Sequence, residues 1–214
     1  LYEDYEHAFS PLYAKRLGVN LDQEWFILAQ PNSVEEGMDI LEAFILNGAV
    51  GLAITDSVAA MSPASFLTGA IADINRVPEQ ARMLSPIFRR LVNKIDKSNV
   101  AAVFINHVGQ DIMAHTRGGR PPTTTPGGRA LKFYASLRVE LSVMEAIKGF
   151  HHNIITGERE EANVSLKVKA LCVKNKVAIP WRHGWYYLRE GRGVYEPEAV
   201  VEICQARGLL RRSG

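Results

Sequence analysis

Ala101-Ala102-Val103-Phe104-Ile105-Asn106 is apolar without interruption until its last residue. A half-exposed strand alternates apolar and polar positions, so an unbroken apolar run bounded by polar residues marks a strand covered on both faces, as in parallel sheets. The segment that follows, Asn106–Arg138, has the opposite character. It is rich in glycine, proline and threonine and carries Arg117, Arg120, Arg129, Lys132 and Arg138 against a single acid, Asp111. The whole chain has a formal net charge of only +2, so this segment concentrates the positive charge. A cationic loop hung from the C-terminal end of a core strand is where an α/β protein grips a polyanion.

Upstream, Gly51-Leu52-Ala53-Ile54-Thr55-Asp56 reads as a second buried strand, ending in a carboxylate. Before it, Ser33-Val34-Glu35-Glu36 has the form of a capping box, Met38, Leu41, Phe44 and Ile45 recur at helical spacing, and Gly48 supplies the stop. Pro78 opens a longer helix with Ala81, Leu84, Ile87, Phe88, Leu91, Val92 and Ile95 on one face. Pro86 lies inside that pattern and is expected to kink or split it. Leu1–Asp4 reads as the end of a strand, and the chain reads as a segment of a longer protein.

Downstream the period becomes two. Val139, Leu141 and Val143 alternate with polar residues, as do Val164, Leu166, Val168, Ala170 and Cys172, and Trp185–Leu188 forms a further strand. His151–Glu161 reads as a hairpin loop and a helical tail starts near Glu196. The fold class is therefore α/β: a mostly parallel sheet flanked by helices and extended by antiparallel strands. Composition agrees with a globular chain, 47% apolar and 22% charged over 214 residues. No apolar run is long enough to span a bilayer. Cys172 and Cys204 sit in unrelated contexts, and His115, His151, His152 and His183 show no ligand spacing, which argues against a zinc site. A reducing, cytoplasmic setting is expected.

Several residues carry candidate chemistry, each with a plainer alternative. Asp56-Ser57 has the form of a Walker B motif, whose carboxylate holds the magnesium shell of a bound nucleotide; an aspartate ending a strand is otherwise a helix cap. Glu6 is placed to orient an attacking water, or is an exposed acid beside His7. Tyr13 stacks on an adenine or faces the core. Asn106-His107 suits a phosphate sensor, or caps the strand end. Lys174 and Lys176 reach a phosphate, or form a solvated sheet edge. Thr123-Thr124-Thr125-Pro126-Gly127-Gly128 offers hydroxyls and bare amides to a phosphate, in a segment too long for an ordinary connection.

Taken in order, these pieces resemble the ATPase core of the RecA family of DNA-strand-exchange proteins, in its bacterial and phage branch. The resemblance runs from about Tyr5 to Leu210. It rests on Glu6-His7-Ala8, Pro11-Leu12-Tyr13-Ala14-Lys15, Leu17-Gly18-Val19, Asp56-Ser57-Val58-Ala59-Ala60 and Phe104-Ile105-Asn106, then on Thr123-Thr124-Thr125 with Gly127-Gly128, Ala130-Leu131-Lys132-Phe133-Tyr134-Ala135-Ser136 and Val173-Lys174-Asn175-Lys176. The resemblance implies a partial ATPase core over 1–195 and the start of a small C-terminal domain over 196–214.

It also implies roles. Glu6 activates water, Tyr13 stacks on adenine, and Asp56, beside Ser57, holds Mg2+ through water. Lys174 and Lys176 reach a neighbouring subunit's ATP, and Phe133 and Lys132 lie at that interface. Arg76, Arg82, Ser85, Arg89, Arg117, Arg120, Thr124, Thr125, Gly127, Gly128 and Arg129 face DNA. The implied partners are single-stranded and double-stranded DNA and further copies of the chain in a helical filament, with ATP and Mg2+ as cofactors and no membrane, in the cytoplasm of a bacterial or phage-infected cell.

The departures from the family pattern are specific. These 214 residues contain no G-x-x-x-x-G-K-[ST] phosphate loop. His107 stands where the family has a glutamine that senses the γ-phosphate, and Ser10 replaces an adenine-contacting aspartate. Phe66, Thr68 and Ala70 replace acids of a first DNA-binding loop, and Gly109 and Asp111 replace cations of the second. A replicative-helicase or clock-type motor of the same fold would share the Asp56 strand but not the Thr123–Ser136 pattern. A DNA-binding or filament module without ATPase activity is the alternative favoured by His107 and the missing phosphate loop.

Overall fold

The computed structural model describes residues 1–68, 76–110, 123–152 and 157–211. They form two compact units, one of Leu1–Pro11 with Asn20–Ala135, the other of Leu12–Val19 with Ser136–Gly214.

The first unit is built on a parallel sheet. Its strands are β1 (Tyr2–Asp4), β2 (Leu28–Ala29), β3 (Leu52–Asp56) and β4 (Ala101–Phe104), in the order β2-β1-β3-β4. Helix α1 (Pro11–Arg16) lies between β1 and β2 in the chain, α2 (Val34–Asn47) precedes β3, and α3 (Ser65–Thr68) and α4 (Arg76–Asp96) separate β3 from β4. Ser33 caps α2 as its sequence demands, its hydroxyl accepting the Glu36 N–H at 3.2 Å. The return half of the capping box is displaced by one residue: the Glu36 carboxylate takes the N–H of Asn32 at 2.7 Å. Gly48 ends α2 in the left-handed region, with φ 60°.

The apolar faces of α2 and α4 meet the sheet. Val34, Leu41, Leu84 and Phe88 are fully buried, and the Phe88 ring meets Phe104 of β4 edge-on at 5.1 Å. Each such side chain contributes about 1.5–3 kcal/mol by leaving water. Pro86 does not split α4, which runs unbroken from Arg76 to Asp96. Arg82 and Pro86 both lie on its exposed side, where the carbonyl that loses its donor can turn to water. After β4, β5 (Gly109–Gln110) and β6 (Thr123–Thr124) form a two-stranded ladder, and α5 (Ala130–Tyr134) packs on α4.

The second unit is an antiparallel sheet in the order β10-β9-β8-β7, made of β7 (Leu137–His152), β8 (Arg159–Asn175), β9 (His183–Arg189) and β10 (Gly193–Val194). These strands do not extend the parallel sheet, as expected from sequence, but pair among themselves. Strand pairing also takes in both ends of the stretch read as a loop: His151 pairs with Glu160 and His152 with Arg159. Just before it, register shifts at Val143/Glu145 and Ile147/Lys148 break the alternation of β7. Helix α6 (Glu196–Ala206) is held to β8 and β9 by two acids one turn apart. Glu198 accepts the Ser165 hydroxyl at 3.0 Å, and Glu202 binds the Lys167 ammonium at 2.5 Å and the Tyr187 hydroxyl at 2.7 Å. Among the described residues, no helix is long and apolar enough to cross a membrane.

Candidate active site

Because β1, β3 and β4 run parallel, Asp4, Asp56 and Phe104 end their strands on one edge of the sheet. The residues just beyond those ends, Glu6, Ser57 and His107, therefore meet. The Ser57 hydroxyl donates to Glu6 Oε1 at 2.6 Å, and His107 Nε2 lies 3.2 Å from the same oxygen. These two bonds, Ser57 first, hold the Glu6 carboxyl below the usual carboxylate range. Glu6 is a base kept ionised, about two-fifths exposed, and open to a water molecule.

Asp4 shapes the loop that carries Glu6. Its carboxylate accepts the N–H groups of Ala8 at 3.2 Å and Phe9 at 3.0 Å, and the Gln30 side-chain amide at 3.1 Å. Burial opposes its charge, but those donors, led by Phe9, prevail and keep the carboxyl low. Asp56 receives the Tyr2 hydroxyl on Oδ2 at 2.5 Å, and the Asp56–Ser57 peptide is cis. Burial and then the bond to Asp56 push the Tyr2 phenol well above its usual range. Tyr2, Asp4 and Gln30 were not singled out from sequence, since a strand of three residues shows no period that could separate their roles.

Asn106 ties the start of the cationic segment to Pro126. Its side-chain amide donates to the Pro126 carbonyl at 3.0 Å, while its Oδ1 accepts the N–H of His107 at 2.9 Å. Gly109 and Gln110 pair with Thr124 and Thr123 just inside that closure. Arg117 and Arg120 lie outside the described residues, as does most of the first-loop stretch 68–77; Arg76 opens α4, and its side chain is also outside the description. Gly127 and Gly128 have φ of 80° and 71°, and a Cβ on Gly127 would come within 3.0 Å of Leu84 and Val58. These glycines let the backbone after Thr125 close onto α4. Arg82 and Arg89 are exposed and Ser85 half-buried, on one stripe of α4, with Arg89 Nε donating to the Tyr134 hydroxyl at 3.2 Å. Arg129 is exposed, Lys132 half-buried and Phe133 69% exposed.

The second unit carries the other candidates. Tyr13 on α1 is 44% exposed. Lys174 lies across the β7–β8 ladder from Arg138, and the Lys176 N–H donates to the Ser136 carbonyl at 3.0 Å. Burial first, then the charges of Lys176 and Arg138, lower the Lys174 ammonium pKa.

Over residues 1–195 the sequence matches the RecA N-terminal domain. The chain belongs to the RecA family. Protein RecA of Streptococcus mutans is 39% identical to it over 211 residues, 99% of this chain and 52% of that protein. Protein RecA of Streptococcus pneumoniae (strain Hungary19A-6) is likewise 39% identical over 211 residues, 99% of this chain and 51% of its own length. The chain thus spans about half the length of the curated relatives it matches. The oxygen donors on this RecA-family sheet edge suit a hard cation. Among the described residues no three His, Cys, Asp or Glu side chains are grouped to hold a metal alone. A magnesium ion beside Asp56 would therefore complete its shell with water and phosphate oxygens.

Proposed function

We propose that the full protein is an ATP-dependent DNA-strand-exchange recombinase that assembles as a filament on single-stranded DNA and pairs it with homologous duplex. The observation that carries this reading is the convergence of Glu6, Ser57 and His107 beside Asp56 at the C-terminal edge of the parallel sheet, in a chain of the RecA family. Magnesium-bound ATP supplies the phosphoryl group and its counter-charge. Glu6 accepts a proton from the attacking water, and Asp56 would hold a magnesium ion through water. Tyr13 stacks on the adenine, while Lys174 and Lys176 reach the ATP of a neighbouring subunit, across an interface that includes Phe133 and Lys132. This reading requires a phosphate loop, which these 214 residues do not contain.

Arg76, Arg82, Ser85, Arg89, Arg117, Arg120, Thr124, Thr125, Gly127, Gly128 and Arg129 contact DNA phosphates without reading bases, since pairing itself tests sequence. The core occupies 1–195, a small C-terminal domain begins at 196, and the protein works in the bacterial or phage-infected cytoplasm. The second reading, a DNA-binding or filament module without ATPase activity, is favoured by the histidine on Glu6. The test is single-stranded DNA binding by the full-length protein across a salt series. Replacing both Arg82 and Arg129 by Glu is expected to abolish tight binding and to lower the salt slope by about 1.4, the value for two lost contacts. Salt-independent binding, or a double variant that binds like wild type, contradicts the reading.

A further inference from the structure

Glu6 Oε1 has two partners from two different strand ends, Ser57 after β3 and His107 after β4. Ser57 is fully buried, so the scaffold fixes its hydroxyl. His107 is anchored by its backbone, whose N–H is held by Asn106 Oδ1 at 2.9 Å. An ionised carboxylate only accepts hydrogen bonds, so Nε2 of His107 carries a proton and the neutral ring is the Nε2–H tautomer. Among the described residues, Asp4 of β1 is the other charged group acting on Glu6, and its repulsion is outweighed by these donors.

Two donors on one oxygen saturate it and fix the plane of the carboxyl group. Among the described residues no hydrogen bond reaches Oε2, which is then the oxygen with open lone pairs. We propose that His107 is a positioning residue for Glu6: with Ser57 it occupies Oε1 and presents Oε2 to the attacking water. The role of that water rests on the recombinase reading above, while the Glu6–His107 pair stands on geometry alone. A histidine in this position acts on the base itself, a task different from sensing the phosphate, and the side chain of glutamine carries an N–H able to make the same bond.

Two measurements on the full-length protein test the proposal. In the first, 15N NMR of the His107 ring is recorded at pH 8 without nucleotide. The Nε2–H tautomer is expected to predominate in wild type and to lose that predominance in Glu6→Gln, whose amide can turn to donate or accept. A wild-type ring that is an even mixture, or mainly Nδ1–H, overturns the pairing. In the second, DNA-stimulated phosphate release is followed in His107→Ala and His107→Gln. The alanine variant is expected to lose about tenfold in kcat with KM little changed, the cost of a loosened catalytic group, and glutamine to restore most of it. A raised KM at unchanged kcat, or an alanine variant as fast as wild type, overturns the positioning role. Absence of phosphate release from the wild-type protein refutes the recombinase reading and the water-presenting role with it, and the NMR result still decides whether Glu6 and His107 pair.

Discussion

At the edge of the parallel sheet, acids are held in place by hydrogen bonds: Glu6 by Ser57 and His107, Asp4 by Ala8, Phe9 and Gln30, Asp56 by Tyr2. At the end of the antiparallel ladder the charges are cationic instead, with Arg138, Lys174 and Lys176 near enough to lower the Lys174 pKa. Beneath them the packing differs as well. The parallel sheet sits under two helices with a closed apolar core, whereas Leu137, Val139, Leu141 and Val143 of β7 are each 55–60% exposed in this chain. The contrast shows how one chain separates tasks. The buried parallel strands end in acids fixed by hydrogen bonds, and the antiparallel ladder ends in clustered cations.

Packing gives the largest expected difference between the regions. Phe88→Ala empties the core between α4 and β4 and is expected to cost about 3–5 kcal/mol in chemical denaturation, whereas Val143→Ala on the exposed stripe costs less than about 1 kcal/mol. Equal losses would erase the distinction. Next comes Glu3, which is fully buried in β1 with Oε2 taking the Thr55 hydroxyl at 2.7 Å and Oε1 unpartnered. Burial pushes its carboxyl up to about 7 from the ordinary 4.5. The folded form therefore binds more protons than the unfolded one between those values. The stability tied to Glu3 is present below about pH 4.5 and lost as pH rises through about 7, a change of about 3 kcal/mol. Denaturation at pH 5 and pH 8 is expected to show that loss in wild type and a flatter profile in Glu3→Gln; identical profiles would contradict it.

The cationic end yields a functional effect without a structural one. Joint replacement of Lys174 and Lys176 by Ala is expected to slow DNA-stimulated phosphate release by about 100-fold, the cost of losing charge at a developing anion, while thermal stability stays near wild type. Unchanged turnover would leave these lysines as a solvated edge. The smallest effect is at the α2 cap, where Ser33→Ala is expected to cost about 1 kcal/mol in the same denaturation assay.

Much of this was legible where short-range physics decides. The Ser33 cap, the Gly48 stop and the apolar strand that ends at Asp56 follow from side-chain capping, left-handed backbone and uninterrupted apolarity. Resemblance ordered the candidates Glu6, Asp56 and His107, and the structure brings Glu6 and His107 into one hydrogen-bonded group with Ser57. What stayed hidden depended on partners distant in sequence. The Tyr2–Asp56 bond joins residues 54 apart, and nothing local marks Tyr2 as its donor. Nothing local marks Glu3 as a buried acid, since its partner Thr55 lies 52 residues away on β3. Pro86 reads as a break because propensity sees the missing N–H and not the exposed side of α4 on which it falls. The β7–β8 hairpin reads short because its register shifts disrupt a period of two.

The most direct test of the account is phosphate release by the full-length protein, with and without single-stranded DNA, for wild type beside Glu6→Gln. The expected result is hydrolysis that DNA stimulates in wild type and that falls by about 10²–10⁴-fold in the variant, with ATP still bound. A wild-type protein that binds DNA but releases no phosphate, or a Glu6→Gln variant as fast as wild type, would contradict it.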